Sequence, residues 1–149
     1  IDPARRLQAA YDGWHVVDLQ DAIASADVVA TATGAKKVVN STALDNAKDG
    51  VFILNVGHVA EEIDCGYLRQ FSHDEVMPYI NAYRVGDKTV YLMANGSMLN
   101  LTAGFGDSLN AFDVTLAVMA SGIRHIVTDG MRAPAKVYLL PQAVWQQAL

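Results

Sequence analysis

Two short runs in this 149-residue chain set small residues beside hydrogen-bonding ones directly after an apolar stretch. They are Ala30-Thr31-Ala32-Thr33-Gly34 and Asn55-Val56-Gly57-His58. Small side chains let a ligand approach the backbone, while Thr and His supply hydrogen bonds. Because ligands of open parallel sheets bind past the carboxyl ends of the strands, two such ends in adjacent units suggest a binding crevice. The same residues also fit a purely structural part, with Gly34 and Gly57 making turns and Thr33 capping a helix. His58, placed just after a strand and a glycine, is the titratable group best placed for chemistry. His15, His73 and His125 have no partners at metal-ligand spacing, so no metal site is expected. Glu61, Glu62 and Asp64 read as a solvated helix start favoured by the helix dipole. No nucleophile-elbow, phosphate-loop or metal motif is present.

The elements that must position these runs alternate apolar strands with amphipathic stretches, the pattern of an α/β fold with a parallel sheet. Asp2-Pro3 opens a helix to about Asp12 with Leu7, Ala10 and Tyr11 on one face, and Gly13 ends it. Trp14–Val17 reads as a strand, and Asp18 or Gln20 starts a short helix with Ala22, Ile23 and Ala26 inward. Val28–Thr33 and Val51–Val56 are continuous enough to be parallel strands of one sheet, the first buried on both faces. Ser41-Thr42 caps a helix through Ala47, and Ile63–Phe71 is a short helix. Tyr79–Val85 and Thr89–Ala94 flank the Gly86-Asp87 turn as a hairpin. Ser108–Ser121 is a helix apolar almost all round, with Gly122 at its C-terminal side, as in a domain or oligomer interface. Val137–Leu140 is a last strand-like piece.

The formal charge of −5 and pI near 5.1 argue against nucleic acid or an anionic membrane as the main partner. With one cysteine, Cys65, no internal disulfide framework can form, which fits a reducing cytoplasm. No signal peptide is visible, no apolar stretch reaches the ~20 residues that span a bilayer, and the start at Ile1 reads as a fragment.

Taken in order, longer segments resemble one enzyme family. Asp2-Pro3 through Gly13 resembles the D-P-x-x-A-L-x-A-x-x-x-G segment of adenosylhomocysteinases, and Val29–Gly34 resembles their V-T-x-T-G strand end. Lys48-Asp49-Gly50, Leu54–His58 and Glu62-Ile63-Asp64 together resemble K-D-G…N-I-G-H-F-D-x-E-I-D. Pro78–Tyr83 resembles P-Q-V-D-R-Y, Leu92–Leu101 resembles L-L-A-E-G-R-L-V-N-L, and Val137–Pro141 resembles V-x-x-L-P. The matches run almost end to end.

The resemblance implies a Rossmann-like, doubly wound parallel sheet, with residues 1–149 as a partial NAD-binding domain. It further implies a small-molecule nucleoside substrate and a cytoplasmic homo-oligomer. In that family the ribose 3′-hydroxyl of S-adenosylhomocysteine is oxidised with bound NAD, which acidifies the neighbouring C4′–H. Homocysteine is then eliminated, water adds, and the ketone is reduced back, leaving adenosine. By position, Arg5, Thr33, Gly34, Val56, Gly57, His58 and Asn100 would contact the cofactor, and His58 and Asp107 would lie on the substrate side.

The departures are as informative. The family's first strands, its glycine-rich phosphate loop and the acidic residue that holds the adenosine ribose would lie before Ile1. Its substrate domain and C-terminal tail are likewise outside the chain, so this chain alone is expected to be inactive. Val59-Ala60 stand for F-D, Asn95 and Ser97 for Glu and Arg, and Gly106-Asp107-Ser108-Leu109 for G-H-P-[ST]. Asp107 cannot act as the neutral donor that the histidine supplies, which points to another substrate or to a lost reaction. Two alternatives follow: a D-2-hydroxyacid dehydrogenase domain, in which His58 would replace a carboxylate-binding arginine poorly, and a non-catalytic NAD-binding regulatory homologue.

Overall fold

A computed structural model describes residues 2–104, 109–132 and 134–146. The chain divides into two compact units, Ile1–Gly104 and Phe105–Leu149.

The first unit opens on helix α1, Pro3–Tyr11. The Asp2 carboxylate caps it by accepting the Ala4 N–H at 2.9 Å, and Pro3 fills the first turn, where no N–H partner is needed. The face that Leu7, Ala10 and Tyr11 share is open, since Leu7 and Tyr11 are 58% and 82% exposed. Trp14–Val17 is not a strand, because it pairs with none of the described strands. Helix α2, Leu19–Ile23, leads to strand β1, Val28–Thr31. Helix α3, Ser41–Asn46, is capped by Asn40 rather than by Ser41: the Asn40 side chain accepts the Ala43 N–H at 3.0 Å.

Strand β2, Val51–Asn55, lies parallel to β1 in register, with Val28 opposite Phe52 and Thr31 opposite Asn55. The helix expected over residues 63–71 shrinks to α4, Cys65–Leu68. Before it, Ala60–Glu62 forms a 3₁₀ turn, and Ile63 is held extended by a bridge to Val39. Strands β3, His73–Met77, β4, Ile80–Val85, and β5, Lys88–Met93, complete the sheet in the order β1-β2-β5-β4-β3. The β2–β5 pair is parallel, whereas β4–β5 is the antiparallel hairpin around Gly86-Asp87. β3 pairs antiparallel with β4.

The period of two along β2 sorts its side chains. Val51, Ile53 and Asn55 are buried, and Val51 and Ile53 are flanked by Val90 and Leu92 of β5. Ile23, Leu44 and Leu68, one from each of α2, α3 and α4, close over them as a single core. On the opposite face Phe52 and Tyr91 stack at 4.6 Å. β1 is not buried on both faces: Val28 is 58% exposed, and of its four residues Thr31 alone is buried.

In the second unit, helix α6, Leu109–Thr128, follows α5, Leu99–Thr102, of the first unit. Gly122 lies inside α6 instead of ending it, and a Cβ there would meet Leu140 at an ordinary 3.6 Å. Val137–Leu140 joins no strand, and Val137 and Leu139 are almost wholly exposed. Helix α7, Gln142–Gln146, completes the unit. Among the described residues no helix is long and apolar enough to cross a membrane.

Candidate functional site

The parallel pairing of β1 and β2 makes both strands end on the same side of the sheet, at Thr31 and Asn55. The turns that follow carry Thr33-Gly34 and Val56-Gly57-His58. The Val56 N–H donates to the Thr31 carbonyl at 2.9 Å, extending the register one residue beyond the strand. Gly34 has φ +69, a left-handed conformation that side chains disfavour. A Cβ on Gly34 would lie 3.8 Å from His58 Cε1, so the two turns face each other. β5 brings a third strand end alongside, where Met98 forms a bridge to Asn55 just before α5, the helix that carries Asn100.

Asn55 joins the three ends. It is fully buried, and its amide uses both its donors and both acceptor positions. Its Oδ1 accepts the Gly57 N–H at 2.7 Å and the Thr31 hydroxyl at 3.2 Å. Its Nδ2 donates to the Val59 carbonyl at 2.9 Å and to the Gly96 carbonyl at 3.1 Å. The Gly96 carbonyl is aimed by an uncommon turn: Ala94, Asn95 and Gly96 all have positive φ, at 49°, 53° and 78°. The Asn81 Nδ2 donates to Asn95 Oδ1 at 2.9 Å across this turn.

Glu62 is the second connector, and it corrects the reading of the acidic cluster as a solvated helix start. Lys36 and Lys37 sit at ion-pair distance from Glu61 and Asp64, whose roles are local, but Glu62 is fully buried. Its carboxylate accepts the Thr33 N–H, the Thr33 hydroxyl at 2.7 Å and the Gly34 N–H at 2.7 Å. Burial pushes this carboxyl upward. The donated hydrogen bonds from Thr33 and Gly34 favour the charged form more and hold it below the ordinary glutamate value. Gly57 packs against it so closely that a Cβ would come within 2.3 Å of Glu62 Oε1. The Val39–Ile63 bridge and the Val39 N–H donating to the Glu62 carbonyl at 3.0 Å bring the residue into place.

The structure thus brings together Thr33, Gly34, Val56, Gly57 and His58, with Asn100 two residues beyond Met98. His58 is exposed at the surface of the crevice and Val56 is 43% exposed, so both are open to a ligand. Arg5 is not drawn in. It lies on α1, where its guanidinium sits 3.8 Å from Asp2, and no hydrogen bond among the described residues ties it to the strand ends. Asp107, with Gly106 and Ser108, lies outside the described residues. Asn55 and Glu62 were missed as site residues. The signal for Asn55 was a polar side chain closing an otherwise apolar strand, which costs free energy unless fully hydrogen-bonded. Among the described residues no group of His, Cys, Asp and Glu could hold a metal ion.

At these strand ends the chain sets glycine backbone, a threonine, an imidazole and a half-exposed valine side by side. Residues 1–106 match the family described as S-adenosyl-L-homocysteine hydrolase, NAD binding domain. The chain is 33% identical to the adenosylhomocysteinase of Archaeoglobus fulgidus over 95% of its own length and 36% of that protein's. It is 32% identical to the S-inosyl-L-homocysteine hydrolase of Methanopyrus kandleri, over 97% of this chain and 35% of the relative. Against the adenosylhomocysteinase of Thermotoga maritima the identity is 30%, over 97% and 36%. The chain therefore spans about a third of the length of the curated relatives it matches. These matches do not favour the 2-hydroxyacid dehydrogenase alternative. With its α/β sheet, its paired strand ends and this match, the chain belongs to the S-adenosyl-L-homocysteine hydrolase family and carries its NAD-binding domain.

Proposed function

We propose that this chain forms the nicotinamide side of the NAD site in a larger enzyme that hydrolyses S-adenosylhomocysteine, or a close nucleosidyl analogue, to a nucleoside and homocysteine. The observation that carries the reading is the pair of facing turns, Thr33-Gly34 and Val56-Gly57-His58, at the carboxyl ends of two parallel strands. Thr33, Gly34, Val56 and Gly57 would hold the cofactor by backbone and hydroxyl groups, with Asn100 beside them. His58 would stand where the cofactor meets the substrate, and Asp107 would lie on the substrate side. Arg5, exposed on α1, would contact the cofactor from that helix. When bound, NAD supplies the hydride acceptor for a ribose hydroxyl. The chain's own part is to orient the nicotinamide ring and to exclude water from its outer face. Relatives named for adenosyl and for inosyl substrates match at 33% and 32% identity, so the overall likeness does not separate the two bases. A homo-oligomer in the cytoplasm belongs to the same reading, supported by the apolar surface of α6.

Two results are expected. The purified 149-residue chain should release no homocysteine from S-adenosylhomocysteine above a blank, even with added NAD. The acid–base groups of the reaction are not positioned by this chain, and without them most of the rate advantage is lost. Calorimetric titration of NAD into the chain should give a dissociation constant of about a millimolar or weaker. Residues 1–149 contain no G-x-G-x-x-G turn to hold a pyrophosphate, and ordering a flexible dinucleotide costs several kcal/mol. In a version carrying the family's upstream phosphate loop, affinity should rise sharply and His58→Ala should weaken it. Micromolar affinity of the chain alone would mean that it forms a phosphate site elsewhere.

A further inference from the structure

Consecutive backbone N–H groups converging at a strand end are a way for a polypeptide to capture an anion. Here the turn after β1 offers two such groups, Thr33 N–H and Gly34 N–H, and adds the Thr33 hydroxyl. All three point at the carboxylate of Glu62, a residue of the same chain that is shut off from solvent. The turn is therefore filled from behind before any ligand arrives. Its shape, including the left-handed Gly34, is fixed by an internal partner and not by the cofactor. Through Gly57, whose missing Cβ leaves the space that the carboxylate needs, the facing turn is held to the same group.

We propose that Glu62 is a positioning and specificity residue of the cofactor crevice: a resident anion that presets the Thr33-Gly34 turn and makes it reject phosphate while accepting the uncharged or cationic nicotinamide end of a dinucleotide. An arriving phosphate finds no free N–H there and meets a buried negative charge. A carboxamide or a nicotinamide cation meets no such penalty. This inference rests on the NAD reading for the identity of the ligand, but the role of Glu62 itself does not. The charged groups around it are Lys36, Lys37, Glu61 and Asp64 on the two segments that flank it, and His58 across the crevice.

The test follows the Thr33 and Gly34 amide resonances of the ¹⁵N-labelled 149-residue chain. The carboxyl is held below its ordinary value in the fold. Its contribution is therefore complete above the unfolded value of about 4.3 and is lost as pH falls through the lower folded value. Both amides should move upfield together in that acid range, with one midpoint. Inorganic phosphate at neutral pH should leave them unmoved. In Glu62→Gln their hydrogen exchange should quicken at least about tenfold while the Ile53 and Leu92 amides keep their protection, and phosphate should now shift them. Nicotinamide riboside should shift the wild-type resonances of Gly34 and His58. Should Glu62→Gln fail to fold, the acid titration and the phosphate titration of the wild type still decide. Separate midpoints for Thr33 and Gly34, unchanged exchange in a folded Glu62→Gln, or a phosphate shift in the wild type would each overturn the proposal. A common midpoint without any response to nicotinamide riboside supports the positioning role and counts against the cofactor reading alone.

Discussion

Replacing Asn55 with alanine should lower the unfolding free energy of the chain by about 3–5 kcal/mol. The side chain satisfies the Gly57 N–H, the Thr31 hydroxyl, and the carbonyls of Val59 and Gly96, all at one buried point. Alanine leaves these groups without their partner in a space that gives water little access, and each unpaired buried group costs about 1–3 kcal/mol. The cost falls short of a simple sum because the turns can relax. Urea unfolding followed by circular dichroism reads the change as a shifted midpoint. A loss below about 1 kcal/mol would show that the three strand ends hold together without this amide. Asn55→Asp discriminates further, since it keeps the acceptor but sets a charged oxygen against the Gly96 and Val59 carbonyls. It should be at least as damaging at neutral pH as alanine.

The second large effect is expected at Gly57. Its φ is not left-handed, so the objection to a side chain there is space and not backbone strain. A Cβ would stand 2.3 Å from Glu62 Oε1, and 3.3 Å from both Ala32 Cα and Asn55 Oδ1. The carboxylate cannot step back without breaking bonds to Thr33 and Gly34, and the other two neighbours are backbone and a fully bonded amide. Gly57→Ala should therefore cost about 3 kcal/mol, at the upper end of overpacking effects. A double-mutant cycle with Glu62→Ala identifies the cause. If the clash is with the carboxylate, the double variant should be more stable than the sum of the single losses predicts, by 1 kcal/mol or more on the usual scale for contacting residues. Strict additivity would place the clash on Ala32 instead.

How much of this could be read from the sequence depended on whether the signal was local. Val28–Thr31 and Val51–Asn55 announced themselves as unbroken apolar runs, and the Gly86-Asp87 turn fixed the β4–β5 hairpin. β3 gave no such sign: its five residues, including His73, Asp74 and Glu75, are all exposed, and only pairing with β4 makes them a strand. Trp14–Val17 shows the converse, since strand-like residues make no strand without a partner to pair with. At the site, Thr33, Gly57 and His58 were legible because the strand, the glycine and the polar residue follow one another directly. Glu62 was not, because its meaning depends on a loop closing between residues far apart in the chain. The Thr33 N–H and the Glu62 carboxylate are 29 positions apart, and a local window around Glu61-Glu62-Ile63-Asp64 shows only acidic residues before a helix. Helix α6 was visible as an apolar stretch, but its end was placed too early, since a glycine reads as a terminus although it costs only about 1 kcal/mol inside a helix.

The turn at Ala94-Asn95-Gly96 has a consequence for how this crevice can change by mutation. Its three consecutive left-handed residues disfavour branched side chains, and Gly96 leaves no room for any side chain, since a Cβ there would stand 2.5 Å from Cys65 Sγ. Side-chain charge is less constrained at Asn95, which is exposed and whose side chain, among the described residues, is hydrogen-bonded to Asn81, whereas Ala94 and Gly96 are buried. The backbone of the third strand end is thus close to immutable while its electrostatic character is open to revision. A lineage could change the charge at Asn95 by a single substitution without disturbing the carbonyl that Gly96 offers to Asn55.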